Sequence, residues 1–302
     1  MTFTTQIKEE ITKEENNNIE DLTSLCTYLK FNATLEEDKM TVMVVNASVA
    51  RWIFKLLKTN YNVLIKLTTR TMKRFKARNL YILEVKEKLD LIYKDIDNIF
   101  KEISTSSDEE KKAFLKGMFL ACGSINDPKK NQYHLEFLVK EEKDAKLIDD
   151  LLNSLKIKSK VLKRDREYMV YVKSSENISD FIKYLGAFNA LFYFEDIRIY
   201  KDHKNMVNRL NNCEQANVER TLKSSKTILD NIKYLEDNDL LMLLDDRSKE
   251  IIEYKKKYPD TSLGELAEII TMETNKSITK SGINHHFRKI NALVKKAKEN
   301  HE

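Results

Sequence analysis

The chain has 302 residues, 41% of them hydrophobic and 33% charged, which suits one to three globular domains that can each bury a core. No uninterrupted apolar run approaches a membrane span, the start Met-Thr-Phe-Thr-Thr-Gln lacks the basic-then-apolar order of a secretory leader, and Cys26, Cys122 and Cys213 are too far apart for a metal or disulfide framework. The net charge is only +5, but two acid-free runs concentrate it: Lys66 to Arg78 holds six Lys or Arg, and Asn275 to Lys298 holds seven. Two basic patches on an otherwise acidic body point to a polyanionic partner, nucleic acid above all.

Five glycines and two prolines leave little material for irregular segments. In chain order, Ile19 to Leu35 reads as a helix, and an extended segment follows around Thr41 to Val45. Asn46 and Ser48 can cap a helix from Val49 to Lys58. Strands are predicted from Asn62 to Thr69 and from Leu80 to Val85, and a helix from Lys88 to Ile103. Ser107 and Glu110 form a capping box with an acidic first turn, which starts a helix near Asp108. Gly117 and Ala121 lie on one face of that helix, where small residues let a second backbone come close. Gly123 suits a left-handed stop, and Asp127-Pro128 marks a turn. A strand from Tyr133 to Val139, a helix from Glu142 to Leu155, a hairpin of Lys158–Lys163 and Glu167–Lys173, and a helix from Ile178 to Leu185 complete the set. The second half repeats the order of the first, with Asn32-Ala33-Thr34-Leu35 falling where Cys122-Gly123-Ser124-Ile125 falls.

The stretch Phe114 to Asp127 resembles the LAGLIDADG motif of homing endonucleases, with Leu115 at its first position and Gly123 at its last. The resemblance implies an α+β fold: duplicated α-β-β-α-β-β-α halves whose motif helices pack at a pseudo-twofold axis under a saddle of two sheets. Lys66, Arg70, Lys73, Arg74, Lys76 and Arg78 would then lie on a hairpin reaching the DNA backbone. Thr27 and Phe31 replace the small residues of the motif in the first helix, which argues against a close approach there. The family's nucleases need a carboxylate at the end of each motif helix to hold metal ions. Asn32 and Cys122 occupy those positions, and a neutral amide and a thiol do not replace two carboxylates. No catalytic residue, metal site or cofactor is therefore expected. His285 and His286 point about 100° apart on a helix and do not chelate together, and His134 and His203 show no obvious partner.

From Asn205 to Asn217 the chain reads as an asparagine-rich junction containing Arg209, ahead of a helix from Val218 to Leu235. Asp246 to Tyr258 is a predicted helix stopped by Pro259. Ser262 and Glu265 make a second capping box, for a helix ending near Thr271. In the last helix Ile283, Phe287, Ile290, Val294 and Ala297 form a core stripe. The opposite face shows Ser281, Asn284, His285, Arg288, Lys289 and Lys295. A helix, a loop and a basic amphipathic helix make a helix-turn-helix over about Ser262 to Lys295. Base contacts are expected from Ser281, Asn284, His285 and Arg288, and phosphate contacts from Lys280, Lys289, the basic hairpin and Arg209.

Thr279-Lys-Ser-Gly-Ile-Asn-His-His-Phe-Arg-Lys-Ile290 closely resembles the signature of the bacterial WhiA family. So do Phe114–Asp127, Phe194-Glu-Asp-Ile-Arg198, Asn208-Arg209, Asn212-Cys-Glu214 and Ala216-Asn217. His286 stands where the family usually has Arg, and Phe287 where it has Leu. The resemblance implies a degenerate LAGLIDADG-like domain at 1–204 (repeats about 19–104 and 108–200), a linker and connecting helix at 205–236, and an all-α helix-turn-helix domain at 237–302. It further implies a cytoplasmic, nucleoid-associated transcriptional regulator tied to sporulation, cell division or chromosome segregation, without nuclease activity. Expected partners are double-stranded DNA and either RNA polymerase or a co-regulator protein, with no membrane and a monomeric chain. An active endonuclease, disfavoured by Asn32 and Cys122, and an adaptor that binds another regulator are the alternatives.

Overall fold

The structure, a computed structural model, describes residues 1–14, 17–72 and 78–299. The chain forms two compact units, Met1–Asp202 and His203–Glu302. In the first unit, α1 (Phe3–Ile11) precedes α2 (Asn18–Asn32), β1 (Ala33–Leu35), β2 (Met40–Val44), α3 (Ala47–Tyr61), β3 (Ile65–Met72), β4 (Arg78–Val85) and α4 (Leu89–Glu102). The same order then returns as α5 (Asp108–Cys122), β5 (Gly123–Ile125), β6 (Leu135–Val139), α6 (Glu142–Ser154), β7 (Lys160–Arg164), β8 (Glu167–Val172) and α7 (Ser175–Tyr184). Helix α8 (Phe188–Asp237) begins in the first unit and ends in the second.

The predicted duplication is present element by element. Helices α2 and α5 are equal in length and about ninety residues apart. The two antiparallel sheets have matching orders, β1-β2-β4-β3 and β5-β6-β8-β7. The capping boxes and caps fall where the side chains predict them: Ser107 Oγ accepts from Glu110 N while Glu110 caps Ser107 N in return, and Asn46 Oδ1 accepts from Ser48 N and Val49 N.

Two local expectations fail. Gly123 is extended, with φ −84° and ψ 146°, because α5 passes straight into β5 without a left-handed stop. Glycine is needed there for space, since a Cβ would sit 2.4 Å from Phe119 Cδ2. The approach of α2 to α5 is close despite Thr27. A Cβ on Gly117 would lie 2.3 Å from Ser24 O and 2.8 Å from Thr27 Cβ. Ser24 Oγ donates to Ala113 O across the interface (2.9 Å), and the buried Thr27 hydroxyl is satisfied by Thr23 O in its own helix (2.7 Å). One glycine and a run of small hydroxyl residues supply the room that the motif in α2 lacks.

Sequence reasoning missed α1. Phe3, Ile7 and Ile11, spaced four apart, are its buried face, and that spacing was the available signal. Thr4 exchanges hydrogen bonds with Ile125 (2.8 and 3.0 Å), Lys8 Nζ donates to Leu120 O (3.0 Å), and Glu10 accepts from Asn189 N and Ala190 N at the start of α8 (2.7 and 3.1 Å). The segment from Asn205 to Asn217 is likewise helical, inside α8, rather than a loop before Val218. Asparagine has only modestly poor helix propensity, and its abundance misled.

The second unit contains the end of α8, a 3-10 turn (Leu240–Leu243), α9 (Asp246–Lys257), α10 (Leu263–Thr274) and α11 (Lys280–Glu299). Ile228, Ile232 and Leu235 of α8 join Ile251, Leu266, Ile270, Phe287 and Ile290 in its core. The buried ammonium of Lys255 donates to Ser225 Oγ (2.8 Å) and Thr261 O (2.7 Å), tying α9 to α8 and to the approach of α10. Among the described residues no helix is long and apolar enough to cross a membrane.

Candidate nucleic-acid interface

Helix α10 starts at a capping box, Ser262 with Glu265, and ends at Asn275 in the left-handed region, φ 55°. The connection turns back through Ile278, whose N–H donates to Thr271 Oγ1 (3.2 Å). Thr279 Oγ1 then accepts from Gly282 N (3.2 Å) and opens α11. Ile283, Phe287, Ile290 and Val294 are buried, so one face of α11 is committed to the core, as the periodicity predicts. Ala297 is only half-buried. Lys280, Ser281, His285, Arg288, Lys289 and Lys295 are exposed, and Asn284 is half-buried beside them.

These outward residues are not equivalent. Among the described residues, Lys280, Ser281, Asn284 and Arg288 have no ion pair or side-chain hydrogen bond through their side chains, and His285 touches only the edge of His286. Lys289 lies 3.6 Å from Asp245 Oδ2, and Lys295 lies 3.9 Å from Glu299. His286 is turned inward: its Nδ1 is 2.8 Å from Ser248 Oγ and 3.9 Å from Asp245 Oδ1. Asp245 is the N-cap of α9 and accepts from Ser248 N (2.8 Å), which together with the Ser248 hydroxyl holds its carboxyl below the usual range. Burial lowers the His286 pKa, and the nearby Asp245 only partly opposes this. The side chain at 286 therefore braces α11 against α9.

In the first unit, Lys66 and Arg70 are exposed on β3, an edge strand. Lys66 is paired across the ladder with Glu84 at 3.1 Å, an acid that lies outside the acid-free run and was invisible in it. Arg78 opens β4 opposite Met72. Lys73, Arg74 and Lys76 lie outside the described residues. Arg209 is exposed on α8.

At the ends of the paired helices, Asn32 Nδ2 donates to Tyr28 Oη, and Cys122 Sγ lies 3.4 Å from Met118 O. Burial pushes the Cys122 thiol up to about 12. The Lys8 ammonium sits beside this helix end, its pKa lowered to about 8 by burial and held up in part by Cys122. Asp127, beyond the turn, accepts from Lys129 N (2.9 Å). His134 does have a partner, Glu136 at 3.2 Å, and it stacks on Tyr171.

Two motif helices at the centre of a duplicated α+β unit, followed by a helix-turn-helix unit, define a LAGLIDADG-like protein with a DNA-binding type of appendage. The chain matches the WhiA N-terminal LAGLIDADG-like domain over residues 19–99, the WhiA LAGLIDADG-like domain over 111–204 and the WhiA C-terminal HTH domain over 207–294. It is 36% identical to the probable cell division protein WhiA of Oceanobacillus iheyensis, across 99% of this chain and 98% of that protein. It is 37% identical to the protein of the same name from Bacillus cytotoxicus, across 98% and 97%. The chain belongs to the WhiA family. Its fold is similar to that of full-length WhiA from Thermatoga maritima, with a TM-score of 0.60 and 21% identity over 98% of this chain and 99% of that one. The isolated N-terminal LAGLIDADG domain of WhiA gives 0.52 at 19% identity over 61% and 90%.

Proposed function

We propose that the protein is a DNA-binding transcriptional regulator acting in cell division, chromosome segregation or sporulation, and that it does not cut DNA. The observation that carries this reading is the face of α11: Ser281, Asn284, His285 and Arg288 stand opposite a buried stripe. A helix presented this way can enter the major groove with its polar side chains on base edges. Lys280, Lys289 and Lys295 flank that face as phosphate contacts, with Arg70, Lys73, Arg74, Lys76, Arg78 and Arg209 in the same role elsewhere. The cell-division setting rests on the names of the relatives, and transcriptional regulation on the resemblance to the WhiA family together with the helix-turn-helix unit.

Against cleavage stands the chemistry of the donor set. Metal-assisted hydrolysis of DNA needs hard, anionic oxygen ligands. The ends of α2 and α5 offer the Asn32 amide and a thiol that burial keeps protonated, and the Lys8 ammonium, bonded to Leu120 O, adds a positive charge near the end of α5. Two assays test the proposal. Selection of binding sites from random duplexes with the full chain should return an enriched sequence, and Arg288→Ala should weaken the enrichment while circular dichroism is unchanged. Plasmid and selected duplexes incubated with magnesium or manganese should stay intact. Cleavage that copurifies with the protein and disappears on substituting Cys122 or Asn32 would overturn the non-nuclease reading.

A further inference from the structure

The middle of α8 takes no part in the core of either unit. Residues 202–215 are all exposed, about four turns of helix with solvent on every side. Among the described residues, no side chain of residues 203–212 makes a hydrogen bond or an ion pair. Asn205, Asn208, Asn211, Asn212 and Asn217 are poor helix formers. A helix exposed all round, without side-chain pairs, is not held by the packing of its own chain. Its side chains are nevertheless sorted by kind. Taking Asn205 as zero on a wheel of about 100° per residue, Asn208, Arg209, Asn212 and Ala216 fall within about 60° of it. The last four belong to the stretch that resembles the WhiA signature, and the match to the WhiA C-terminal HTH domain starts at residue 207, inside this helix.

That face has the chemistry of base-edge recognition. An Asn amide donates one hydrogen bond and accepts another, which matches adenine N6 and N7 together. Asn205 and Asn212 are about 10 Å apart along the axis, about three base-pair steps. The major groove admits one α-helix, and the basic regions of bZIP proteins enter it as continuous helices. Ala216 keeps the helix thin on this side. The charge also suits a polyanion. Lys201, Arg209, Arg220 and Lys223 lie on this side with Asp202 and Glu219, an excess of two positive charges, and Glu219 already accepts from Gln215 Nε2 (3.0 Å). The other side favours a protein partner less. Ile199, Met206 and Leu210 are exposed and start an apolar stripe, but Asn217 and Ser224 continue it, so the seam ends after three side chains.

We propose that the 205–216 face of α8 is a second base-reading element, seated in the major groove of duplex DNA with Asn208 and Asn212 on adenines and Arg209 beside them on a phosphate. The proposal rests on the reading of the protein as a DNA-binding regulator, and it adds a contact that α11 does not supply.

The test uses the full chain and the duplex it enriches from random sequence. Amide hydrogen exchange is followed with and without that duplex. Peptides covering 202–220 should exchange fast in the free chain and slow at least about tenfold on the duplex, and α11 should slow with them. The double variant Asn208→Ala/Asn212→Ala cannot lose binding through melting of the helix, since Ala is the better helix former; it should bind the duplex at least about fivefold more weakly. Replacing the adenines by 7-deazaadenine, which lacks the N7 acceptor, should weaken the wild type more than the double variant. Val218→Ala, on the far side of the same helix, should bind like the wild type. Slow exchange in α11 with fast exchange in 202–220 on the bound duplex would overturn the proposal and leave α11 as the reader. An equal response of wild type and double variant to 7-deazaadenine would also overturn it. Protection of 202–220 without DNA that rises with protein concentration would give the segment to a second copy instead. A chain that binds no duplex at all would remove the proposal together with the regulator reading.

Discussion

Arg288 and Lys289 are neighbours in sequence with different surroundings, and the difference separates reading from positioning. Taking Ile283 as zero, Arg288 lies near 140° and His285 near 200° on a wheel of about 100° per residue. Both point away from the core, and Arg288 has no carboxylate partner among the described residues. A bidentate Arg–guanine contact contributes roughly 1–3 kcal/mol of discrimination. Arg288→Ala should therefore lower the preference for a guanine-containing site over a scrambled duplex. Lys289→Ala, which removes a charge already shared with Asp245, should lower affinity evenly across sequences and by less. Competition binding with both duplexes checks this, and an unchanged specificity ratio in folded Arg288→Ala would remove α11 from the reading role. His286 supplies a prediction of a different kind. Its folded pKa lies below the ordinary value of about 6.5 because burial disfavours the imidazolium. The unfolded chain therefore takes up that proton more readily. The stability contributed by the neutral ring is fully present above about pH 6.5 and is lost as pH falls through the lowered folded value. His286→Gln can still bond Ser248 and does not titrate, so its Tm should fall less than that of the wild type between pH 7.5 and 5. Parallel Tm–pH curves for the two proteins would show that this ring is not coupled to folding.

At the level of elements, the junction of α2 with α5 inverts the usual effect of a glycine substitution. In an exposed helix, Gly→Ala stabilises by about 1 kcal/mol. At Gly117 the added methyl would press on Ser24 O and Thr27 Cβ, and overpacking of this kind costs roughly 1–3 kcal/mol. Gly117→Ala should lower the urea midpoint, while Gly264→Ala in α10, where the nearest atom to a Cβ is 3.8 Å away, should not. A higher midpoint for Gly117→Ala would mean that the two helices can separate freely. The same junction shows what sequence reasoning reached. Periodicity and caps located both repeats, and the ninety-residue offset was legible because helix caps are local chemistry. The tolerance for Thr27 was not, because it depends on Ser24 bonding to Ala113 from the other repeat. Helix α1 was likewise hidden, although its apolar spacing was in view, because its worth lies in partners far along the chain. On the face of α11 the core stripe was readable from its period, whereas the inward turn of His286 depends on Asp245 and Ser248 in a different helix.

For the molecule as a whole, basic charge is distributed over both units. If the β3–β4 hairpin and α11 each contact phosphates, log affinity should fall linearly with log salt, and each contact removed should flatten the slope by about 0.9. Substituting Arg70, Lys73, Arg74 and Lys76 by Gln should flatten it and weaken all duplexes alike, and Lys66→Gln should do less, since Glu84 already shares its charge. An unchanged slope after the fourfold substitution would take the hairpin off the DNA. Helix α1 has a consequence of another sort, in the order of synthesis. Its side-chain hydrogen bonds beyond its own segment reach Leu120, Ile125, Asn189 and Ala190, all made long after it. At roughly 5–20 residues per second, Phe3, Ile7 and Ile11 leave the ribosome about ten to forty seconds before Glu10 can reach the start of α8. Helix α1 can pack against α3 (Ala47–Tyr61) early, whereas its hydrogen bonds to β5 and the start of α8 wait for segments made much later, so its final seating spans most of the synthesis of the first unit.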